Sequence, residues 1–101
     1  METTQYSAIF KALGDDTRIK IIQLLSGKSL CACQILTALE VTQPTLSHHM
    51  KVLNQVGIVK TIRVGTWSHY RLNPEFITLI QPFISAFATE DLHDETAACK
   101  P

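Results

Sequence analysis

The stretch that most constrains the fold runs from Thr42 to Leu72. Thr42 is a favoured N-cap, and Pro44 follows in the first turn, where a missing N–H costs little. Leu46, Met50 and Leu53 then recur at helical spacing, and Gly57 supplies the glycine that commonly ends a helix. Thr45, His48, Lys51 and Gln55 are left for the outward side, with Ser47 at its edge. Ile58 to Arg63 reads as a strand, Val64-Gly65-Thr66 as a turn, and Trp67 to Leu72 as the returning strand. The predicted unit is therefore a polar-faced helix followed by a two-stranded hairpin.

Charge gives this unit a purpose. No Asp or Glu occurs from Val41 to Pro74, while Lys51, Lys60, Arg63 and Arg71 do, with His48, His49 and His69 beside them. Formal net charge over the whole chain is zero, because the acids Glu75, Glu90, Asp91, Asp94 and Glu95 crowd the C-terminal part. Local field, not net charge, steers a polyanion. A small polar helix face beside a basic hairpin tip suits the phosphate-lined groove of double-stranded DNA.

Before this unit, Tyr6, Ile9, Phe10 and Leu13 form one apolar stripe of a helix over 4–13. Gly14 stops it, and Asp15 or Asp16 caps a second helix whose Ile19, Ile21, Ile22, Leu24 and Leu25 make it the expected core element. Ser29 is the expected cap of a third helix, Leu30–Leu39, buried through Ala32, Ile35, Leu36 and Leu39. Only Glu40 and Val41 separate it from the Thr42 cap, which is the spacing of a helix-turn-helix. After the hairpin, Asn73 caps and Pro74 opens a last helix, with Pro82 expected to kink or restart it.

At 101 residues the chain is one domain, mainly α with a small β-hairpin, in the order ααααββα: a winged helix-turn-helix over residues 1–101. One slim core cannot bury both the first stripe and that of the last helix. Tyr6, Ile9, Phe10, Phe76, Ile80, Phe83 and Phe87 are therefore expected to form the interface of a symmetric homodimer. Residues from about 90 to 101 read as a flexible acidic tail. No apolar run approaches membrane-spanning length, and the opening residues lack a signal-peptide pattern, so a cytoplasmic protein with no membrane partner is expected.

Three cysteines, Cys31, Cys33 and Cys99, do not make a disulfide framework. Cys31 and Cys33 are the only concentrated soft-ligand pair, and thiolates prefer thiophilic ions. With both in the first turns of a helix, its positive end would favour thiolate. In an ideal helix, residues two apart point about 200° from each other, so gripping one ion would require that turn to unwind. No Cys-x-x-Cys beside a βαβ pattern is present, which argues against a thiol oxidoreductase or any other enzyme. A thiol redox switch and a DNA-binding module with inert cysteines remain alternatives.

Four stretches together resemble the ArsR/SmtB family of bacterial winged-helix repressors. They are Phe10–Leu25, Leu30–Leu36 with its cysteine pair, Gln43–Leu53 followed by Gly57–Val59, and Arg63–Leu72. The resemblance implies a homodimer on operator DNA that leaves when an inducer binds. It implies DNA contacts from Gln43, Thr45, Ser47, His48 and Lys51, and wing contacts from Arg63 and Thr66, although family members often carry a basic residue at the place of Thr66. His49 lies toward the packed side and is expected to be structural. The cysteine pair is similar to that of the arsenite/antimonite-responsive branch, which implies As(III) or Sb(III) as inducer and no permanent cofactor. The cadmium/lead-responsive branch, which adds cysteines in a longer N-terminal arm, is the alternative. Some arsenite sensors carry a third cysteine where this chain has Leu36. Cys99 is then either the third sulfur or a free tail thiol. The family's zinc or cobalt site would fall at Asn73, Glu75, Ala86 and Thr89, without histidines, so none is expected there, and Asp91 and His93 read as solvated tail. His69 has no cysteine or histidine partner at ligand spacing and reads as structural.

Overall fold

Each helix start is marked by a side chain that takes over backbone groups no helix can satisfy for itself. In the computed structural model, which describes residues 2–88, Glu2 opens α1 (Thr3–Leu13), its N–H donating to Gln5 Oε1 at 2.8 Å. Asp15 caps α2 (Asp16–Leu24) by accepting the Arg18 N–H at 3.1 Å. Thr42 caps α4 (Gln43–Gln55), and Asn73 caps α5 (Pro74–Ser85). Between α2 and α4 lie a two-residue strand β1 (Leu30–Cys31) and α3 (Ala32–Leu39). The wing is β2 (Val59–Val64) and β3 (Trp67–Leu72), and a 3-10 turn, Ala86–Ala88, follows α5.

The expected ααααββα order is thus present with one addition. Leu30 and Cys31 are not the start of the third helix but a strand, paired antiparallel with β3 so that the sheet order is β1-β3-β2. The cap of α3 is Cys31, not Ser29. Serine is a favoured cap type and cysteine is not, so composition draws the boundary two residues too early. The extended backbone of an N-cap residue, φ −81° and ψ 163° at Cys31, also lets it end a strand.

The junction of α4 and β2 is a Schellman motif. The Ile58 N–H donates to Leu53 O at 3.0 Å and the Gly57 N–H to Asn54 O at 3.1 Å, with Gly57 at φ 79°. Leu53 and Ile58, which flank the motif, are fully buried. Asn73 then binds the same corner: its N–H donates to Ile58 O at 2.8 Å, and its Nδ2 to Gly57 O at 2.9 Å. The recognition-type helix, the wing and α5 therefore meet at one rigid point. Gly65, at φ 63°, and Thr66 form the two-residue hairpin turn, glycine first, as a type II′ turn requires.

The core is Ile9, Ala12, Ile21, Leu25, Ile35, Leu46, Met50, Leu53, Ile58, Val59 and Phe76, drawn from every long helix. This corrects two expected interface residues. Ile9 and Phe76, 4% and 8% exposed, belong to the chain's own core, because α1 and α5 each turn one edge of the stripe inward. The other edge forms an aromatic cluster. Tyr6 stacks on Phe83 with centroids 4.0 Å apart, Phe10 lies 5.7 Å from Phe83, and Phe87 meets Phe83 edge-on at 5.0 Å. Phe10 and Phe87 stay exposed within it, as do Ile77, Leu79 and Ile84 elsewhere on α5. Ile19, expected in the core, is also exposed, since α2 presents one face to α1, α3 and α4 and the other to solvent. α5 continues through Pro82 without a restart. No described helix is long and apolar enough to cross a membrane.

Candidate nucleic-acid interface and thiol pair

α4 separates its side chains as its spacing requires. Leu46, Met50 and Leu53 are buried, whereas Gln43, Thr45, Ser47, His48 and Lys51 are exposed on the outward side. The first turn is held by Thr42, whose hydroxyl accepts the Thr45 N–H at 3.4 Å and lies 2.8 Å from the Thr45 hydroxyl. The last turn is pinned to the wing: Thr61 Oγ1 donates to Asn54 Oδ1 at 3.1 Å. Arg63 and Thr66 are exposed near the hairpin tip, and Arg63 Nη1 donates to Ser68 Oγ at 3.1 Å across the strands. Among the described residues no carboxylate lies within salt-bridge distance of Lys51, Lys60, Arg63 or Arg71. A rigid polar helix face with an uncompensated basic wing can bind phosphates and present hydrogen-bonding side chains to base edges.

His49 is on the other side, as expected. Its side chain is 12% exposed, with Nδ1 3.1 Å from Arg18 Nη1 and 3.9 Å from Asp15 Oδ2. A guanidinium only donates, so Nδ1 accepts from Arg18, which places the ring proton on Nε2. Arg18 Nε also donates to Ala12 O at 2.6 Å. One side chain thus joins the end of α1 to the recognition-type helix. Sequence reasoning missed Arg18, because its partner lies 31 positions away and only the local Asp15 cap signal is visible.

Asp15 is held below its ordinary pKa of 3.8, first by the Arg18 backbone N–H that it caps and then by the charge of the Arg18 guanidinium. A depressed carboxylate stabilises the fold above the unfolded-state pKa and loses that contribution as pH falls through the folded one. Thermal unfolding followed from neutral pH down through the carboxylate range should show Tm falling on the acid side. In Asp15→Asn, which keeps a cap but cannot titrate, the fall should be shallower.

Cys31 and Cys33 lie where β1 passes into α3. The Cys31 N–H donates to Gln34 Oε1 at 2.9 Å, as one half of a capping box. Cys31 is half-buried and Cys33, at the second helical position, is exposed; neither is in a disulfide. Because Cys31 stands outside the helix, the divergence of about 200° expected for two helical residues does not apply. A half-buried and an exposed thiol two residues apart suit a thiophilic ion. Cys99 lies outside the described residues. Cys31 faces His69 across β1 and β3 as its register partner, so His69 does have a cysteine neighbour that sequence spacing concealed. Asn73 and Glu75 serve the start of α5, with Glu75 N–H donating to Asn73 Oδ1 at 3.1 Å. Among the described residues no three metal-ligating side chains already converge.

Comparison with known proteins completes the picture. Residues 15–61 match the family described as bacterial regulatory protein, arsR family. An arsenical resistance operon repressor from Staphylococcus xylosus is 40% identical over 100 residues, covering 99% of this chain and 93% of the relative. A cadmium resistance transcriptional regulatory protein CadC homolog from Staphylococcus aureus is 40% identical over 70 residues, covering 68% of this chain and 58% of the relative. Among solved structures, the homodimeric winged helix-turn-helix DNA-binding domain of a possible ArsR-family regulator from Mycobacterium bovis superposes with a TM-score of 0.70. It is 25% identical, with 89% of each chain covered. An ArsR-like transcriptional regulator from Rhodococcus sp. RHA1 gives a TM-score of 0.76 at 24% identity, over 84% of this chain and 78% of that one.

Proposed function

The chain belongs to the arsR family of bacterial regulatory proteins, and from that membership we propose a homodimeric repressor that leaves its operator DNA when As(III) or Sb(III) binds Cys31 and Cys33. The family consists of transcriptional regulators rather than enzymes, and the winged helix is its DNA-binding fold. The single observation that carries the finer reading is the place of the thiol pair. Cys31 caps the helix that leads through a tight turn into α4, so the sulfurs sit at the far end of the unit that reads DNA.

The coupling follows from what Cys31 already does. It pairs with β3 and shares a capping box with Gln34. Bringing its sulfur and that of Cys33 onto one small ion turns one or both side chains from these positions and disturbs the start of α3. α3 packs on α2, α4 and β3. Its C-cap, Glu40, is held in the left-handed region at φ 54°, so the turn to α4 has little slack. An inducer that prefers the disturbed arrangement draws the dimer out of its DNA-competent state in proportion to its differential affinity. Gln43, Thr45, Ser47, His48 and Lys51 read and hold the DNA, and Arg63 and Thr66 touch its backbone. The protein works in the cytoplasm and needs no protein partner but its own second copy.

Fluorescence anisotropy of the reduced protein on its promoter DNA tests this. Arsenite or antimonite should release the DNA, and Cys31→Ser/Cys33→Ser should bind the same DNA yet release none. Equal release from the variant, or no release from the wild type by either ion, would sink the assignment.

A further inference from the structure

The sheet brings a third donor to the thiol pair. In the β1–β3 register Leu30 stands opposite Tyr70, and Cys31 opposite His69. Leu30 and Tyr70 pack against the hydrophobic core. Alternation along each strand therefore turns Cys31 and His69 together to the opposite, outer face. Directly opposed residues of an antiparallel pair have Cβ atoms about 4.5–5.5 Å apart. A sulfur and an imidazole nitrogen bound to one tetrahedral ion, at about 2.3 and 2.0–2.1 Å, fit that span. Backbone pairing, not a mobile arm, sets the distance. His69 is half-buried, and among the described residues its ring makes no hydrogen bond that ligation would break.

We propose that His69 is the third protein donor to the Cys31–Cys33 site, which makes it a site for a borderline divalent cation, Zn(II) or Cd(II). This rests on the reading of Cys31 and Cys33 as the sensing pair. Two thiolates and one imidazole are a donor set that tetrahedral zinc and cadmium accept, with one position left for water. A trivalent metalloid gains less from the imidazole, since it favours sulfur throughout. Cys31 and His69 are already in register; Cys33, the second residue of α3, has an exposed side chain free to turn toward them. The two inducer classes therefore share the thiol pair, and the divalent cation alone draws on His69.

The test is a titration of the reduced, full-length protein with Cd(II), read by thiolate-to-cadmium charge-transfer absorption, and with Co(II), read by its tetrahedral d–d bands. The wild type should saturate at one ion per chain. His69→Gln should lose about 100-fold or more in Cd(II) affinity, the top of the range measured for outer-shell partners. Cys99→Ser should lose none. In the unsubstituted protein loaded with cadmium-113, coupling to a ring nitrogen of His69 should appear, a readout that does not depend on how any variant folds. Unchanged cadmium affinity in His69→Gln, or no coupling at saturation, overturns the proposal. Arsenite release of DNA, abolished in Cys31→Ser/Cys33→Ser and intact in His69→Gln, would leave the repressor reading standing in that case. Absence of both cadmium binding and arsenite release would overturn the two together.

Discussion

Ile84→Glu/Phe87→Glu should turn the dimer into a folded monomer and cut operator affinity by about 10²–10⁴-fold, the range that linking two binding modules contributes. Neither side chain is needed by the monomer: Ile84 is 44% exposed and Phe87 71%. Phe87 meets the aromatic cluster only edge-on, through Phe83. Two carboxylates placed on this face cost little in water. They cost much in an apolar interface, where nothing pairs them. Exposed Ile77, Ile84 and Phe87 recur seven and then three residues apart, on one side of α5 and its 3-10 end, which separates an interface from scattered surface apolar residues. A second copy across a two-fold axis would cover the patch and set two α4 helices at successive major grooves. Light scattering reads the mass, circular dichroism the fold, and anisotropy the affinity. A variant that remains dimeric, or a wild type that is monomeric at micromolar concentration, would refute the interface.

That face also shows where sequence reasoning succeeds and where it stops. The stripe of α5 is legible because its apolar residues recur at helical spacing. Which edge of the stripe meets the chain's own core is not legible, since that depends on how α1 and α5 cross. Ile9 and Phe76 went inward for this reason. α4 is legible almost completely: a cap, an early proline, an apolar row and a terminating glycine all agree on one helix and one outward face. The thiol site is legible only in part. A two-residue strand has no period to detect, so sequence merges β1 with the helix that follows and makes Cys31 a helical side chain, whereas the fold makes it a cap. His69 and Arg18 share that fate. Each acts through a partner that only tertiary pairing brings near, Cys31 in one case and His49 in the other. Local chemistry announces caps and turns; it is silent on cross-strand neighbours.

The two faces of α4 can be taken apart by two substitutions two residues apart. Leu53→Ala removes a fully buried side chain at the Schellman corner, where Ile58 is also fully buried. Its loss should cost about 2–5 kcal/mol of stability, the range for buried Leu→Ala changes. For a domain of this size that lowers Tm by roughly 10 °C or more. DNA affinity should fall only with the folded fraction, and its salt dependence should stay as it was. Lys51→Ala should do the reverse. Lys51 is exposed and meets no carboxylate among the described residues, so stability should move by no more than about 0.5 kcal/mol. Operator binding should weaken across all sequences alike, and the salt slope should shrink by about one per lysine, hence about two per dimer. An unchanged salt slope in Lys51→Ala would remove that residue from the phosphate contacts. A changed slope in folded Leu53→Ala would mean that the corner sets the angle of α4 on DNA as well as its stability. The Arg18–His49 contact predicts otherwise, because it holds α4 at a point away from that corner.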